Sequence, residues 1–402
     1  MVRKGIVVYP RGQLDIEFED LAYGLGQCLS SSGSDTNKIL SNHSNTFPCF
    51  SVRSGWDLLL QYLNFPVGTE VLVSAVTIPD MIDILEFHGL VPVPIDLHPD
   101  TLNLDVSQIK KAVSPNTKMI LVAHLFGSRS DMGEVGDLAR EHDLLIVEDC
   151  AQSYDGKSLR WSDQTDGAMY SFGPIKTATG LGGAVFRVRD TELMNELKEI
   201  QSEYSSQSIR SYALRILKYT GLNLLSQPVC FGLFAWLCRL AGSNHDRVIS
   251  SSTRGFPGGE DMDVFRKTPC KALLRLLERR LQQDHDDTIR QRIQYAEKFI
   301  ELVPDSRVPG SSSSDHVHWV LPFRSSNPDS LVKKLWKQGY DATRRGSSLV
   351  VVPPEDTKPD ITPERAREMI ENLVYLPMYP PMKMKDLEKL ARCVRDHETN
   401  GC

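Results

Sequence analysis

Three residues near the middle of the chain have side chains that could do chemistry together: Asp149, Ser171 and Lys176. Asp149 is the second of an acidic pair, Glu148-Asp149, that ends the apolar run 144–147 and is followed by CAQS. A second apolar run, 168–172, carries Ser171 and leads into GPIK, which leaves Lys176 just past a strand end, ahead of TGLGGAV. A primary amine can attach to an aldehyde, a carboxylate can hold a proton on a pyridine nitrogen, and a hydroxyl can take a phosphate oxygen. Those are the needs of a pyridoxal 5′-phosphate site. Taken singly, each residue reads more simply as a solvated surface group, because most Lys and Asp are exposed. The ordered set carries the argument.

Such a set needs strands that end side by side. From residue 50 the pattern supplies them. FSVRSGWDLLLQYL reads as a short strand, a turn at Ser54-Gly55, and an amphipathic helix from Trp56. A glycine at a helix start presents backbone N–H groups that suit a phosphate, although an ordinary helix cap reads the same way. Strand patterns follow at 70–76, 91–95 and 118–123, with helices at 77–89, 106–113 and 132–142 between them. Asp105 is placed as the cap of the 106–113 helix, and His124 stands at a strand end as a candidate wall of the site. Strands alternating with helices across short links predict a mostly parallel sheet covered on both faces.

The run VEDCAQSYDG … DGAMYSFGPIK resembles the DegT/DnrJ/StrS family of sugar aminotransferases, in which an E-D-A-A-Q/H run precedes S-F-x-x-x-K. The resemblance is nearly continuous over 50–200. It implies an α/β fold type I architecture: a large domain with a mostly parallel sheet, and a smaller α+β C-terminal domain. It also implies pyridoxal 5′-phosphate as cofactor and a homodimer. In residue terms it makes Lys176 the cofactor-linking amine and general acid/base, and sets Asp149 against the ring nitrogen. Gln152 faces the phenolic oxygen, Ser171 and the Gly55 and Trp56 amides take the phosphate, and Ile78 packs on the ring. Trp56 stands where the family has threonine, Ile78 where it usually has an aromatic ring, Thr177 where it has asparagine, and Leu181 where it has glutamate. The implied reaction transfers an amino group from an amino acid, glutamate, to a keto-sugar, nucleotide-linked, in aminosugar biosynthesis.

The chain's 402 residues suffice for two domains. The expected division is 1–50, an N-terminal segment; 51–204, the cofactor-binding domain; 205–260, an apolar helical insertion; and 261–402, the small domain. A net charge of −6 without any basic run argues against a nucleic-acid surface. Eight scattered cysteines form no C-x-x-C pair, so neither a metal site nor a disulfide framework is expected. The N-terminus lacks a secretory pattern, which makes the cytoplasm the expected compartment.

The insertion departs from the family. It is unusually apolar, split by Pro228, and carries Arg210, Arg215, Lys218 and Arg239. Its longest clean run is far below the roughly 20 residues that cross a bilayer. It reads as a buried hairpin, or as a helix pair resting on a membrane through 210–241. The stretch 256–259 and Arg266 stand where the family has G-x-N-x-R, but without the asparagine. A long polar helix ending near 302, a strand at 316–323, a helix at 329–338, a strand at 349–352 and a last amphipathic helix after LPMYP complete the small domain. Two alternatives to the sugar aminotransferase remain: a fold type I enzyme with another, lipid-linked substrate, and a non-catalytic cofactor-binding regulator.

Overall fold

The computed structural model describes residues 8–30, 45–240, 262–304, 307–344 and 348–400. The polar stretch 31–38 and the 256–259 segment lie outside them. The frame is a sheet of seven strands. In chain order the first eight strands are β1 (Thr46–Cys49), β2 (Glu70–Ser74), the short β3 (Val76–Thr77), β4 (Val91–Ile95), β5 (Thr117–Ala123), β6 (Leu145–Asp149), β7 (Gly167–Ser171) and β8 (Ala184–Val188). All but β3 form the main sheet, in the order β1-β8-β7-β6-β5-β2-β4. The five strands from β7 to β4 run parallel; β8 is antiparallel to β7, and β1 to β8.

Helices α1 (Phe18–Leu29), α2 (Val52–Leu63), α3 (Pro79–Phe87), α4 (Val106–Ala112), α5 (Gly133–Glu141) and α6 (Thr191–Ser202) belong to this body. Strand residues alternate between its two faces. Val71, Val73, Leu121 and Val147 pack with Trp56, Leu59, Met81 and Leu197 from α2, α3 and α6. Leu72, Ile120, Val122 and Ile146 pack on the other face with Ile109, Val135 and Leu138 from α4 and α5. Burial on both faces is why these strands read as unbroken apolar runs. Asp105 caps α4 as expected, its carboxylate accepting the Ser107 and Gln108 N–H groups.

The start of α2 is a correction. The helix begins at Val52, not Trp56, because Ser51 is its cap and accepts the Ser54 N–H at 3.1 Å. The Ser54 hydroxyl is drawn instead to the Phe265 carbonyl at 2.7 Å.

A second layer follows β9 (Ser205–Ser206): the helices α7 (Ile209–Leu225) and α8 (Pro228–Leu240). After β10 (Lys267–Thr268), which pairs with β9, comes α9 (Lys271–Gln282). Leu21 of α1, Tyr212 and Ile216 of α7, and Leu273 and Leu276 of α9 share one core. Helix α9 thus packs with the large body, although the sequence assigned it to the small domain. The chain breaks after it, where Gln283 is extended and the Asp284 carboxylate accepts the Asp286 N–H at 2.8 Å.

The small domain's own core begins with α10 (Asp286–Leu302). That core is completed by β11 (Leu321–Arg324), α11 (Pro328–Lys337), β13 (Leu373–Leu376) and α13 (Met384–Asn400), while β12 (Val350–Val351) and α12 (Glu364–Glu371) pack with Val76, Leu97 and Phe126 of the large body. The expected strand at 316–323 is confined to β11, antiparallel to β13. Strand β12 pairs with β3 and so joins the small domain to the large one. The N-terminal segment is not separate either: Tyr9 stacks on Tyr340 and donates to Asp386, while β1 is an edge of the main sheet.

Candidate active site

Strands β6 and β7 are parallel neighbours, so Asp149 and Ser171 come to the same, C-terminal edge of the sheet. Ligands of open α/β sheets gather at that edge. After Phe172 the chain makes a tight excursion and returns as β8. The Phe172 carbonyl accepts the Gly180 and Gly182 N–H groups, and the Phe172 N–H donates to the Gly183 carbonyl. Thr179 Oγ1 donates to the Gly173 carbonyl at 2.7 Å, and the Ala178 N–H donates to Asp15 at 2.8 Å. Ala178 and Leu181 hold left-handed backbone conformations, at φ 53° and 58°. Such strain persists only where the surroundings fix it. Lys176 sits on this braced loop, its amide bonded to the Gly173 carbonyl at 3.0 Å.

The electrostatics single out the same two groups. Burial lowers the Lys176 amine to about 7; the charge of Asp149 pulls it up and that of Arg53 pushes it further down. Burial raises Asp149, against the Ala151 N–H at 3.0 Å and the charges of Lys176, His124 and Arg53. The amine lies 3.8 Å from the ring centre of Trp319, whose Nε1 donates to the Ile175 carbonyl at 3.0 Å. A neutral amine available near pH 7 is a nucleophile, which an ordinary lysine is not.

Adjacent strand residues point to opposite faces, so Glu148 turns away from the site that Asp149 enters. One Glu148 oxygen accepts from the Ser162 N–H (2.7 Å) and the Thr165 hydroxyl (2.8 Å). The other faces Arg129 (2.6 Å) and His124 (2.7 Å). Burial alone would raise Glu148, but His124 and Arg129 hold it at about 2. Cys150 and Glu148 pull His124 upward against its burial. Its Nδ1 accepts the Ser130 N–H at 3.0 Å, which sets Nε2 as the protonated nitrogen that donates to Glu148. His124, Glu148 and Cys150 lie close enough for metal ligation, yet Arg129 already supplies the cation there. His124 is a member of this buried network and not a wall of the site.

The other expected residues are placed as follows. Gln152 accepts the Phe126 N–H through Oε1 at 2.9 Å, which makes Nε2 its free-facing donor end. Ser171 Oγ has the Gly173 N–H at 3.5 Å. Ile78 caps α3, partly buried against the core. Gly55 and Trp56 are helical: the Gly55 N–H donates to the Ser51 carbonyl at 3.2 Å, and the buried Trp56 indole donates to the Met81 carbonyl at 3.1 Å. The turn that was to present their amides is instead the first turn of α2. Arg266 is held by Asp57 at 2.9 and 3.1 Å.

The sequence missed three neighbours of the Lys176 loop. Arg53 acts on both Lys176 and Asp149 and bonds Asp80 at 2.9 Å. Arg292 is buried, with both terminal nitrogens 3.2 Å from the Thr177 hydroxyl. Burial lowers it, and its charge adds to the burial that takes His318 down to about 4. Trp319 reaches the site because Gly127, at φ +105°, lies against its backbone: a Cβ there would stand 2.5 Å from the Trp319 nitrogen. No sequence pattern marks these, since each arrives from a distant element.

A neutral-capable lysine, a buried carboxylate, an amide donor and a hydroxyl on one sheet edge form a donor set that fits pyridoxal 5′-phosphate. The sheet order, with an antiparallel strand closing the lysine loop, is that of a fold type I transferase. Residues 40–223 match the model of the DegT/DnrJ/EryC1/StrS aminotransferase family, the family that their motifs resemble. A pleiotropic regulatory protein of Geobacillus stearothermophilus is 32% identical over 149 residues, 36% of this chain and 40% of that protein. GDP-perosamine synthase of Caulobacter vibrioides is 29% identical over 159 residues, 39% of this chain and 42% of that one. The chain therefore spans less than half the length of these curated relatives. Among solved structures, the aminotransferase TlmJ from Streptoalloteichus hindustanus matches with a TM-score of 0.68 at 17% identity, covering 99% of this chain and 100% of that one. That likeness establishes the fold.

Proposed function

We propose that this chain is a pyridoxal phosphate-dependent aminotransferase that moves an amino group from an amino-acid donor, glutamate, to a nucleotide-linked keto-sugar in aminosugar biosynthesis. The observation that carries the proposal is the braced Lys176, with an amine lowered to about 7 beside the buried Asp149. When bound, the cofactor supplies an electrophilic aldehyde and an electron sink for the donor's α-carbon. Lys176 would hold the cofactor through that aldehyde and, as general acid/base, would carry the donor's α-proton. Asp149 would face the ring nitrogen, Gln152 Nε2 the phenolic oxygen, and Ser171 a phosphate oxygen. Trp319 covers the amine and limits water beside it.

The sugar part of the proposal rests on the family stretch and on the name of the Caulobacter relative. We place the working protein in the cytoplasm as a homodimer; a monomeric mass at micromolar concentration contradicts the latter. A second reading, a cofactor-binding regulator, draws on the name of the Geobacillus relative. Thr177 bonded to Arg292, and Leu181 buried under Tyr212, give the substrate side its own character and leave room for an acceptor other than a nucleotide sugar.

The test is the visible spectrum of purified protein with pyridoxal phosphate, followed by glutamate. A yellow band that is absent in Lys176→Ala and bleaches with glutamate is the expected result. A band indifferent to glutamate rejects that donor. No band rejects the enzyme, and survival of a cellular phenotype in Lys176→Ala favours the regulator.

A further inference from the structure

Helix α7 has two unlike faces. Tyr212, Ile216, Tyr219 and Asn223, spaced as one helical stripe, are buried against α1 and α9. On the outer side Leu214, Leu217 and Leu224 are each more than half exposed, and a Cβ on Gly221 between them would meet nothing within 4 Å. Helix α8 repeats the pattern. Phe231 and Ala235 are buried, while Val229, Leu233, Trp236, Leu237 and Leu240 are at least half exposed. The last group falls at i, i+4, i+7, i+8 and i+11, a single stripe. Eight large apolar side chains on one hairpin exceed what scattered exposure on a soluble surface accounts for.

Charge says what the stripes face. No Asp or Glu occurs between Glu203 and Asp246, in a chain whose net charge is −6. The same stretch carries Arg210, Arg215 and Lys218 on α7, and Arg210 and Lys218 are exposed. An apolar helix face rimmed by cations, without anions, complements a bilayer surface bearing anionic headgroups. A second copy of the chain is a poorer occupant. A twofold contact through this face would set its cations against themselves with no carboxylate of the face to pair them. The hairpin does not cross the bilayer as one span, because α7 and α8 meet at a bend of 93° and α7 is anchored on its inner side. Among the described residues no single helix is long and apolar enough to cross.

We propose that the exposed apolar face of the α7–α8 hairpin docks this protein on an anionic lipid surface. The inference is independent of the aminotransferase proposal. It does bear on the site, because Tyr212 donates to the Gly180 carbonyl at 2.7 Å and Arg215 to the Leu181 carbonyl at 3.4 Å. The docking helix thus grips the loop that carries Lys176.

The experiment is flotation of the full chain with vesicles of phosphatidylcholine alone, or of phosphatidylcholine mixed with phosphatidylglycerol. Binding to the mixed vesicles, weakened by salt and faint on phosphatidylcholine alone, is expected. Leu233→Asp with Trp236→Asp lowers it at least tenfold. Arg210→Glu with Lys218→Glu removes the preference for phosphatidylglycerol, by roughly tenfold. Circular dichroism and the melting temperature show that each variant is folded. Failure of the wild type to float with either vesicle overturns the proposal, as does flotation that the stripe variants leave unchanged. If those variants instead turn a dimer into a monomer without altering flotation, the face belongs to a second copy and the proposal is wrong.

Discussion

The edge of the sheet at β6 and β7 and the outer face of the α7–α8 hairpin invert the usual rules in opposite senses. At the sheet edge, charged groups are taken out of water; on the hairpin, apolar groups are left in it. The charges divide further. Glu148 lies in a fully bonded network with Arg129, His124, Ser162 and Thr165, and remains ionised. Asp149 and Lys176 lack such compensation, and burial moves both toward their neutral forms. A compensated buried charge braces a fold, whereas an uncompensated pair is held ready to react. The hairpin shows the complementary case, in which unspent apolar area is held ready for a surface.

The largest expected effect comes from Lys176→Ala. It removes the only amine on the braced loop, and transamination should fall by at least about 10⁴-fold while the melting temperature stays near or above the wild type. A comparable residual rate, measured by donor-to-acceptor turnover, breaks the contrast between a reactive pair and a bracing network. Glu148→Ala should act on stability first, costing about 3–5 kcal/mol by denaturant titration, since it leaves Arg129 and His124 buried without their partner. The depressed Glu148 contributes stability above its unfolded pKa that is lost as pH falls from about 5 toward 2. An acid midpoint unmoved in Glu148→Gln contradicts the bracing role.

A smaller effect sharpens the other half of the comparison. Lys176 must be neutral to attack, and its amine is lowered to about 7. The rate of cofactor capture by the apoprotein should therefore rise about tenfold from pH 6 to 8 and level off above that. A rise that continues beyond pH 9 means the amine titrates near its ordinary value. The smallest effect is on the hairpin. Leu217→Asp or Leu233→Asp should change stability by less than about 0.5 kcal/mol, because neither side chain is part of the core. By contrast Ile216→Asp, one residue from Leu217 but facing Tyr212 and Leu273, should unfold the layer.

Much of this was legible in the chain. Strands buried on both faces appear as short apolar runs, and the links between them are short, so the parallel sheet and its order of elements could be read directly. Asp149, Ser171 and Lys176 were legible for the same reason: residues at the ends of adjacent parallel strands share one edge wherever the sheet forms. The exposed stripes of the hairpin were not legible, since that stretch reads equally as a buried pair, but the hairpin itself was visible as an apolar stretch with cations. Local chemistry set these features, and local chemistry is what a sequence displays.

What only the tertiary structure decided depends on contacts between distant residues. Whether α2 starts at Ser51 or Ser54 turned on the Phe265 carbonyl claiming the Ser54 hydroxyl. That α9 belongs to the large body follows from α1 and α7 packing on it. Arg53, Arg292 and Trp319 reach Lys176 or its neighbour Thr177 from three separate parts of the chain, the last through a glycine that lets two backbones touch. The acidic pair was visible, but its division into a brace and a reactive group was not. The sheet turns adjacent side chains to opposite faces, and only the folded surroundings give one of them a ring of side-chain partners and leave the other to a backbone N–H.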